Sequence, residues 1–451
     1  MKISIIGGGY VGLVSAVCFA DLGHFVSCIE NDSSKFNALQ SGKIPFYEPA
    51  LQEKFTKTLD RQSLRIHSKI DASIFESEII MLAVGTPMSS SGQANLTALF
   101  SAVAEIISQA KDTPFESLII TTKSTVPVGT GKKIKTIVAE AGLSNRISIA
   151  SNPEFLREGS AVYDFFHPDR IIIGSEDEIV FNKFKSLYKS IFKSTRPIVN
   201  VSLETAELSK YASNTFLATK ISFINELSKL CDKVGADIRD TARLMGMDGR
   251  IGKYFLNPSP GYGGSCFPKD THALQYIGKE NGIDLQVVSA AIKANNLQIQ
   301  HCFSIIKNIL NYDLNGKTVS ILGTSFKPNT DDIRESASLK LIDLLLKHDA
   351  TVHVTDPEAL KNTEAIYKNT VQYFNNPYDC VTSSDALVLM TEWNSYRNMD
   401  LKLLKSEMRD PNFIDFRLIY TKSELLNAGF SPYILGQGLD TTSSLNIPCT
   451  I

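Results

Sequence analysis

Several features that mark other classes of protein are missing from this sequence. No apolar run approaches the roughly 20 residues that a membrane-spanning helix needs, which predicts no membrane partner. The 46 Lys and Arg residues do not outnumber the 48 Asp and Glu residues, so no overall positive field would attract nucleic acid. The seven cysteines include no C-x-x-C pair, which argues against a disulfide framework and predicts no metal site.

What remains is the composition of an ordinary globular protein. Hydrophobic residues occupy 43% of the 451 positions and charged residues 21%, enough for two or three domains with separate cores. The chain runs from Met1 and Lys2 directly into an apolar strand, unlike a secretory signal. Together with the odd number of scattered cysteines, this start predicts a location in a reducing cytoplasm.

Through the first 200 residues, short apolar runs alternate with stretches of helical spacing. The strands expected from these runs lie at 2–6, 25–29, 79–84, 118–122 and 147–150. Strands that alternate with helices predict a parallel sheet that is covered on both faces. We therefore expect a Rossmann-like domain at 1–200.

One long helical stretch without proline follows, from about Ser202 to Val234. At about 1.5 Å per residue it would be roughly 50 Å long, which is more than one domain needs. We therefore expect a central helical segment at 201–300 that joins two domains and offers a face to a second subunit.

After residue 300 the opening pattern returns. Apolar runs at 317–322 and 351–354, the second closed by Asp356, predict another α/β domain at 301–438. The polar end of the chain, 439–451, would be a flexible tail. The fold class expected is α/β, with two Rossmann-like doubly wound domains joined by a long central helix and a helical dimerisation segment.

Gly7, Gly9 and Gly12 form a G-x-G-x-x-G pattern between the first strand and the first helix. The first glycine permits a tight turn, the second lets the backbone approach a pyrophosphate, and the third lets the helix pack on the strand. Glu30 closes the next strand, where a carboxylate can bind a ribose diol and repel a 2'-phosphate. The pattern predicts NAD rather than NADP, and a solvated acid at a strand end is the alternative for Glu30.

The second α/β domain lacks this fingerprint. Gly323-Thr324-Ser325-Phe326-Lys327 follows its first strand, so the backbone cradle for a dinucleotide is missing and a different ligand is implied. Lys327, Arg334 and Arg417 fall at or after expected strand ends, where α/β sheets bind ligands. They are candidate phosphate contacts, and solvated surface cations are the alternative.

The sharpest local signal is the run G-Y-G-G-S-C-F-P-K-D from Gly261 to Asp270. Because proline favours the first helical position, Cys266 would lie at or just before a helix N-terminus. The helix dipole there favours the thiolate, and Lys269 adds positive charge. Asp270 could hold a water or a hydroxyl in the same cavity. A buried structural cysteine is the alternative.

Other polar residues are also placed for chemistry. Lys210 and Asn214 are four residues apart on the long helix and share a face, where an amine and an amide could stabilise an oxyanion. Glu154 and Glu158 follow one expected strand and Thr125 follows another, at ends where ligands bind. Solvent-exposed polar residues, helix caps or turns would each explain these positions taken alone.

Taken together, these segments resemble the nucleotide-sugar 6-dehydrogenases of the UDP-glucose/GDP-mannose dehydrogenase family. The resemblance covers nearly the whole chain in unchanged order. It includes V-G-T-P from Val84, K-S-T-V-P from Lys123, N-P-E-F-L-R-E-G from Asn152 and T-E-W from Thr391. It implies an NAD domain, a central segment that forms a homodimer, and a C-terminal domain that binds UDP.

The family's reaction, implied here by the resemblance, oxidises the C6 alcohol of UDP-glucose to the acid with two NAD+. A cysteine forms a thiohemiacetal with the intermediate aldehyde, and the resulting thioester is hydrolysed by an activated water. The alternatives are oxidation of GDP-mannose or a UDP-N-acetylhexosamine, a single-step hydroxyacid dehydrogenase, and non-catalytic nucleotide binding. The C-F-P run at Cys266 is more similar to the glucose branch, and a single-step oxidation has no use for the thiol.

The resemblance also assigns roles residue by residue. For catalysis it implies Cys266 as nucleophile, Lys210 and Asn214 on the C6 oxygen, Asp270 and Thr125 around a water, and Glu154 as the base for thioester hydrolysis. Whether Lys210 or a water on Asp270 takes the first proton stays open. The positions that match NAD contacts are Gly9, Tyr10, Val11, Gly12, Glu30, Lys35, Thr86, Ser124, Glu158 and Arg334.

The positions that match substrate contacts are Phe155, Leu156, Glu158, Lys210, Asn214, Asn257, Tyr262, Gly263, Phe326, Lys327 and Arg417. Arg250 matches an arginine that reaches into the active site of the partner subunit. Two positions depart from the family pattern. Glu30 is one methylene longer than the aspartate often found there, and Asn257 stands where some relatives carry lysine.

Overall fold

The computed structural model describes residues 1–89, 91–192 and 197–438. The chain divides into two compact units. The first unit comprises Met1–Ser213 with His272–Ile283, and the second comprises Asn214–Thr271 with the chain from Asp284 onwards. The tail expected at 439–451 lies outside the described residues.

The first unit contains a parallel sheet flanked by helices, as the alternating pattern predicted. Its strands are β1 (Lys2–Ile6), β2 (Phe25–Ile29), β3 (Leu64–His67), β4 (Ile79–Leu82), β5 (Leu118–Thr122), β6 (Ile147–Ser151), β7 (Ile171–Gly174) and β8 (Ile198–Val201). Its helices are α1 (Tyr10–Asp21), α2 (Ser33–Gln40), α3 (Leu51–Asp60), α4 (Thr97–Asp112), α5 (Thr130–Glu140), α6 (Ala161–Phe166) and α7 (Glu178–Leu187), with a 3-10 turn at Ala72–Glu76.

The strand order in this sheet is β3-β2-β1-β4-β5-β6-β7-β8. Neighbouring strands are parallel except β6 and β7, which meet antiparallel at Ser151 and Gly174. The parallel arrangement is confirmed for the five strands from which it was expected, β1, β2, β4, β5 and β6, and the antiparallel junction involves β7, which was not among them. Apolar content could not reveal the reversal, because a strand such as Ile171–Gly174 has the same composition in either direction.

The predicted long helix is confirmed as α8 (Leu203–Val234). The border between the two units falls inside α8 and again inside α10 (Phe267–Glu280), which starts directly after Cys266. The other central helices are α9 (Ile238–Met247) and α11 (Gln286–Ile309).

The second unit contains a parallel sheet of order β11-β10-β9-β12-β13-β14. Its strands are β9 (Thr318–Leu322), β10 (Thr351–Thr355), β11 (Gln372–Tyr373), β12 (Ala386–Leu389), β13 (Asn412–Asp415) and β14 (Ser431–Ile434). Its helices are α12 (Ala337–Leu346), α13 (Leu360–Tyr367), α14 (Pro377–Cys380), α15 (Asn394–Arg397), α16 (Leu401–Glu407) and α17 (Lys422–Asn427), with a 3-10 turn at Lys368–Thr370. The expected fold class is confirmed.

Alternate residues of the central strands pack on opposite faces of the first sheet. Ile79 and Met81 of β4 lie in the core that includes α1, whereas Ile80 and Leu82 lie in the core that includes α4. Because both faces are covered, such strands are apolar throughout instead of alternating with polar residues. Within the described part of the chain, no helix combines the length and apolar character needed to cross a bilayer.

Candidate active site

The glycine turn after β1 has the geometry of an anion cradle. Gly7 has φ +105°, and a Cβ on Gly12 would lie only 1.8 Å from the Gly7 carbonyl oxygen. Both positions therefore require glycine. Because there are no side chains at these positions, α1 can start directly against the strand. The space around Gly9 is open, with no atom within 4 Å of a Cβ built there. Backbone at the N-terminus of α1, where Tyr10 and Val11 begin the helix, can therefore approach a phosphate.

Glu30, at the end of β2, holds this turn. Its carboxylate accepts hydrogen bonds from the Gly8 N–H at 3.0 Å and the Asp32 N–H at 2.8 Å, and the residue is 6% exposed. The alternative of a solvated acid is therefore wrong. Lys35 lies nearby in the first turn of α2, where its N–H donates to Asp32 and its side chain is exposed. The turn and Glu30 fit the adenosine half of NAD.

The carboxyl ends of β4 and β5 bring three of the expected site residues together. The Thr86 hydroxyl donates to the Thr125 carbonyl oxygen at 2.9 Å, and the Ser124 hydroxyl donates to the Val84 carbonyl oxygen at 2.6 Å. Side chains at this edge of a parallel sheet are those that contact ligands. The hydrogen bonds of these two hydroxyls to backbone carbonyl oxygens therefore hold the loops after β4 and β5 together.

A carboxylate that the sequence did not single out connects two expected ligand segments. Glu48, in the loop before α3, accepts from the Gly159 N–H at 2.6 Å and the Ala161 N–H at 2.7 Å, and it also pairs with the Tyr10 hydroxyl. Burial raises the pKa of Glu48. Glu48 thus joins the glycine turn to the loop that carries Glu158, which is itself buried.

Lys210 and Glu154 form a buried ion pair. The Lys210 Nζ lies 3.0 Å from the Glu154 Oε1, both side chains are 4% exposed, and the same ammonium lies 5.2 Å from the centre of the Phe155 ring. Leu156, next in the chain, packs on the core of the first unit. The alternative that Lys210 is a solvent-exposed polar residue is therefore wrong. A buried amine beside a carboxylate can exchange a proton with it.

A second buried lysine lies in the same unit. Lys123 donates to the Asn152 Oδ1 at 3.1 Å and to the Tyr188 hydroxyl at 3.3 Å. Burial lowers the pKa of Lys123 to about 8, with a smaller raising effect from Glu154. Since Asn152 precedes Glu154 by two residues, Lys123 helps to fix the segment that carries this carboxylate.

Glu207 anchors α8 one turn before Lys210. Its carboxylate accepts from the Gly129 and Gly131 N–H groups, both at 2.7 Å, and so caps the N-terminus of α5. Burial raises the pKa of Glu207 to about 7. The position of Lys210 in the first unit therefore depends on a carboxylate that the sequence analysis did not single out.

In the second unit, Cys266, Asp270 and Asn214 surround the start of α10. The Asn214 Nδ2 donates to the Asp270 Oδ2 at 2.6 Å, and the Asp270 N–H donates to the Cys266 carbonyl oxygen at 2.8 Å. Asp270 is fully buried and also pairs with Lys269, so the lysine charge is directed at this carboxylate. Cys266 is partly exposed and immediately precedes α10, as predicted.

The environment of Cys266 differs from that of the other thiols in the described residues. Cys18, Cys28, Cys302 and Cys380 are free and fully buried, and burial raises the pKa of Cys28 and of Cys302 to about 12. A thiol at a helix N-terminus instead meets unpaired N–H groups that stabilise its anion. Cys266 is therefore the best placed of these thiols to act as a nucleophile.

The loop before Cys266 packs against the turn after β9. A Cβ on Gly263 would lie 2.3 Å from the Glu335 carbonyl oxygen, so close approach requires glycine there. The Gly264 N–H donates to the Arg334 carbonyl oxygen at 2.9 Å. Tyr262 is buried, whereas Asn257 is exposed. This arrangement brings Tyr262 and Gly263 near Phe326 and the second α/β turn.

Asp356 occupies the position in the second sheet that corresponds to Glu30 in the first. Its Oδ2 accepts from the Thr324 N–H at 2.8 Å and the Ser325 N–H at 3.0 Å, and the Trp393 Nε1 lies 3.3 Å from it. Glu30 makes the equivalent bond to the Gly8 N–H in the first unit, so the two carboxylates fix their turns in the same way. The turns differ in sequence, because Thr324 and Ser325 carry side chains where the first turn has Gly8 and Gly9.

The three basic residues near this turn have different surroundings. Arg417 donates to the Met390 carbonyl oxygen at 2.6 Å and to the Phe326 carbonyl oxygen at 3.2 Å, and its side chain is 11% exposed. Arg334 is exposed and pairs with Asp332 at 2.6 Å, and the Lys327 Nζ lies 5.3 Å from the Phe326 ring centre. The description of a solvated surface cation therefore does not fit Arg417.

Arg250 lies on the surface of the described chain. Its side chain is 91% exposed and pairs with Asp248 at 2.6 Å. Among the described residues, no group of three or more His, Cys, Asp or Glu side chains is arranged to hold a metal ion.

Two doubly wound sheets, a glycine turn with its strand-end carboxylate, and buried polar groups at strand and helix ends define an NAD-dependent dehydrogenase. Comparison with known families agrees with this class. Residues 1–192 match the NAD binding domain of the UDP-glucose/GDP-mannose dehydrogenase family, 204–297 its central domain, and 320–422 its UDP binding domain. The chain belongs to this family.

Similar proteins extend over nearly the full length. A UDP-glucose 6-dehydrogenase of Rhizobium meliloti is 39% identical over 97% of this chain and 100% of its own, and UDP-glucose 6-dehydrogenase YwqF of Bacillus subtilis is 42% identical over 97% and 98%. A solved UDP-glucose dehydrogenase from Pyrobaculum islandicum has a TM-score of 0.87 at 35% identity, covering 94% of this chain and 95% of that one.

Proposed function

We propose that this protein oxidises the C6 hydroxyl of UDP-glucose to the carboxylate of UDP-glucuronate. Relatives named UDP-glucose 6-dehydrogenase match the chain over 98–100% of their own length, which supports the substrate. The observation that carries the proposal is Cys266 at the start of α10 beside the Asn214 and Asp270 pair. A thiol in that place is needed for a second oxidation at the same carbon and has no use in a single one.

NAD+ supplies the hydride acceptor for each of the two oxidations. The chain's own groups manage the protons and the carbonyl carbon. We assign the first alcohol proton to Lys210 or to a water held by Asp270. The buried Glu154 and Lys210 pair can pass this proton within itself, because amine and carboxylate are 3.0 Å apart.

Cys266 then acts on the aldehyde. Its thiolate sulfur bonds to C6, the carbonyl electron pair moves to oxygen, and a thiohemiacetal forms. Lys210 and Asn214 stabilise the oxyanion as donors. After the second oxidation the carbon is a thioester. A water that Thr125 and Asp270 orient, and that Glu154 deprotonates, attacks the carbon, so that the C–S bond breaks and the thiolate leaves.

Recognition of UDP is assigned to the second α/β unit. Phe326, Lys327 and Arg417 follow strand ends of its sheet, where nucleotides bind, and Tyr262 and Gly263 pack beside them. Asn257, Phe155, Leu156 and Glu158 complete the proposed contacts. NAD is assigned to Gly9–Gly12, Glu30, Lys35, Thr86, Ser124, Glu158 and Arg334.

A homodimer is part of the proposal. Phe216, Phe223 and Leu230 recur every seven residues on α8 and are 66%, 49% and 54% exposed. An apolar stripe of this kind on a helix is suited to packing against a second helix. Arg250 would then reach the partner's active site. A cytoplasmic location is also proposed, since Cys18, Cys28, Cys231, Cys302 and Cys380 are free thiols.

The yield of NADH with limiting sugar nucleotide tests the reaction directly. We expect two NADH for each UDP-glucose consumed, because a nucleophile for the second oxidation and groups for hydrolysis are both present. GDP-mannose and UDP-N-acetylglucosamine, assayed in parallel, should give little NADH. One NADH per UDP-glucose would contradict the double oxidation, and a preference for either other sugar would reassign the substrate.

A further inference from the structure

Three amide side chains hold the backbone of the segment that leads to Cys266. The Asn225 Oδ1 of α8 accepts from the Ser259 N–H at 2.7 Å, and the Gln298 Nε2 of α11 donates to the Ser259 carbonyl oxygen at 3.0 Å. Asn295 of α11 bonds both sides of Tyr262, accepting from its N–H at 2.8 Å and donating to its carbonyl oxygen at 3.2 Å. We call Asn225, Asn295 and Gln298 the amide clasp.

The clasp lies in the interior of the second unit. Gln298 is fully buried, Asn225 is 2% exposed and Ser259 is 6% exposed. Loss of either amide would leave a buried backbone group of Ser259 without its hydrogen bond, which is unfavourable because water cannot replace the lost partner there. The clasp therefore satisfies both the N–H and the carbonyl oxygen of Ser259. In a loop exposed to water, water molecules would bond to these two groups and no such side chains would be required.

Two glycines show how closely the segment follows its surroundings. Gly261 has φ +128°, and a Cβ on it would lie 2.9 Å from the Asn295 Oδ1. Gly264 has φ +80°, and a Cβ on it would lie 2.7 Å from the Phe326 ring. The clasp fixes one end of the segment and the turn after β9 fixes the other, so Cys266 follows a stretch with little freedom.

We propose that Asn225, Asn295 and Gln298 are positioning residues that hold the Cys266 sulfur at the N-terminus of α10. The proposal rests on the function proposed above for the role of the thiol. Nucleophilic attack requires the reacting atoms at about 3–3.5 Å, and a misplacement of about 1 Å can cost on the order of a hundredfold in rate. The clasp meets this requirement by holding rigid the backbone that leads to the Cys266 sulfur.

The test replaces one clasp amide without changing its length. Gln298→Met removes the donor to Ser259, and Gln300→Met, on the exposed side of the same helix, is the matched control. We measure alkylation of Cys266 by iodoacetamide in the absence of substrate, using peptide mass spectrometry. Alkylation at pH 7 should slow by about fivefold or more, because iodoacetamide needs the thiolate that the helix N-terminus stabilises.

Turnover and cofactor binding are measured on the same variants. The kcat of Gln298→Met should fall by about a hundredfold, whereas the Kd of NAD+ should match that of the parent, because no proposed NAD contact lies among the clasp amides or the backbone groups that they bond. The Gln300→Met control should keep both values. A variant that had unfolded as a whole would lose NAD+ binding together with turnover.

A second variant covers the case in which Gln298→Met does not fold. Asn295→Leu removes both bonds to Tyr262 at a half-buried position, and the exposed Asn296→Leu is its control. An alkylation rate equal to or above the parent's in the folded clasp variants would overturn the proposal. Alkylation needs no sugar nucleotide, so the alkylation rates test the clasp independently of turnover. If the parent protein fails to oxidise UDP-glucose, the proposed function is refuted, but the alkylation rates can still be interpreted.

Discussion

Cys266 is the residue whose replacement should divide the reaction into its two halves. Cys266→Ser keeps the size of the side chain but raises the pKa of the nucleophile, so attack on the aldehyde should become slow. Overall turnover should fall by several powers of ten, as when other covalent nucleophiles are removed, while UDP-glucose and NAD+ binding change little. Steady-state kinetics and mass spectrometry of the protein check this.

The products distinguish the mechanism from its alternative. The variant should release aldehyde-level product or carry an adduct on residue 266, and UDP-glucose should protect the parent from iodoacetamide. Cys231→Ser, at a buried thiol on α8, serves as the control and should retain turnover. UDP-glucuronate formation by Cys266→Ser at a near-parent rate would mean that water attacks the aldehyde directly.

Glu30 should decide the choice of cofactor. Its buried carboxylate already accepts two backbone N–H groups, so it stays fixed at the place where a 2'-phosphate would arrive. Bringing a like charge to such a group costs several kcal/mol, and kcat/KM for NADP+ should be lower than for NAD+ by on the order of a hundredfold. Comparable kcat/KM values for the two cofactors would refute the assignment of Glu30.

At the scale of elements, the Glu207 carboxylate of α8, which accepts hydrogen bonds at the N-terminus of α5, should make the free energy of unfolding depend on pH. Burial raises the pKa of Glu207 to about 7, from 4.5 in an unstructured chain. The native state therefore binds a proton on Glu207 more tightly than the unfolded chain does. The resulting stabilisation is fully present below pH 4.5 and is lost as the pH rises through about 7.

Glu207→Gln, which does not titrate, isolates this contribution. The free energy of unfolding of the parent minus that of the variant should decrease by on the order of 3 kcal/mol between pH 4.5 and pH 7.5. Urea unfolding at several pH values measures it. Glu226→Gln, on an exposed position of α8, is the control and should show a flat difference. A flat difference for Glu207→Gln as well would remove Glu207 as the titrating group.

Sequence reasoning worked for elements and residues whose signal is local. The glycine turn was recognised because Gly7 and Gly12 are fixed by spacing, and Cys266 because a proline two residues later marks the helix start. Sequence reasoning missed Glu48, Lys123, Glu207 and the amide clasp because their partners are backbone, amide or hydroxyl groups far away in the chain. A carboxylate that caps a distant helix leaves no periodic pattern, so these contacts become visible only in three dimensions.

At the scale of the whole molecule, Arg250 should complete the active site of a second copy. Protomers carrying Arg250→Ala and protomers carrying Cys266→Ala should each be inactive alone. Mixed after dissociation, they should recover part of the activity, because one site of each heterodimer would contain both intact residues. Arg243→Ala, at another exposed arginine paired with a neighbouring aspartate, should remain active without mixing. Mixed dimers that form but stay inactive would mean that Arg250 acts within its own chain.

The single tryptophan of the chain gives the second α/β unit a built-in optical label. Trp393 is 6% exposed, and its indole N–H points to the Ser325 hydroxyl at 3.2 Å and to the Asp356 carboxylate, in the turn that precedes Phe326 and Lys327. Emission excited at the red edge of the indole band therefore originates from this one turn. Movement of the adjacent carboxylate would change the local field on the ring and shift the emission wavelength, so nucleotide titrations can be followed there without an attached dye.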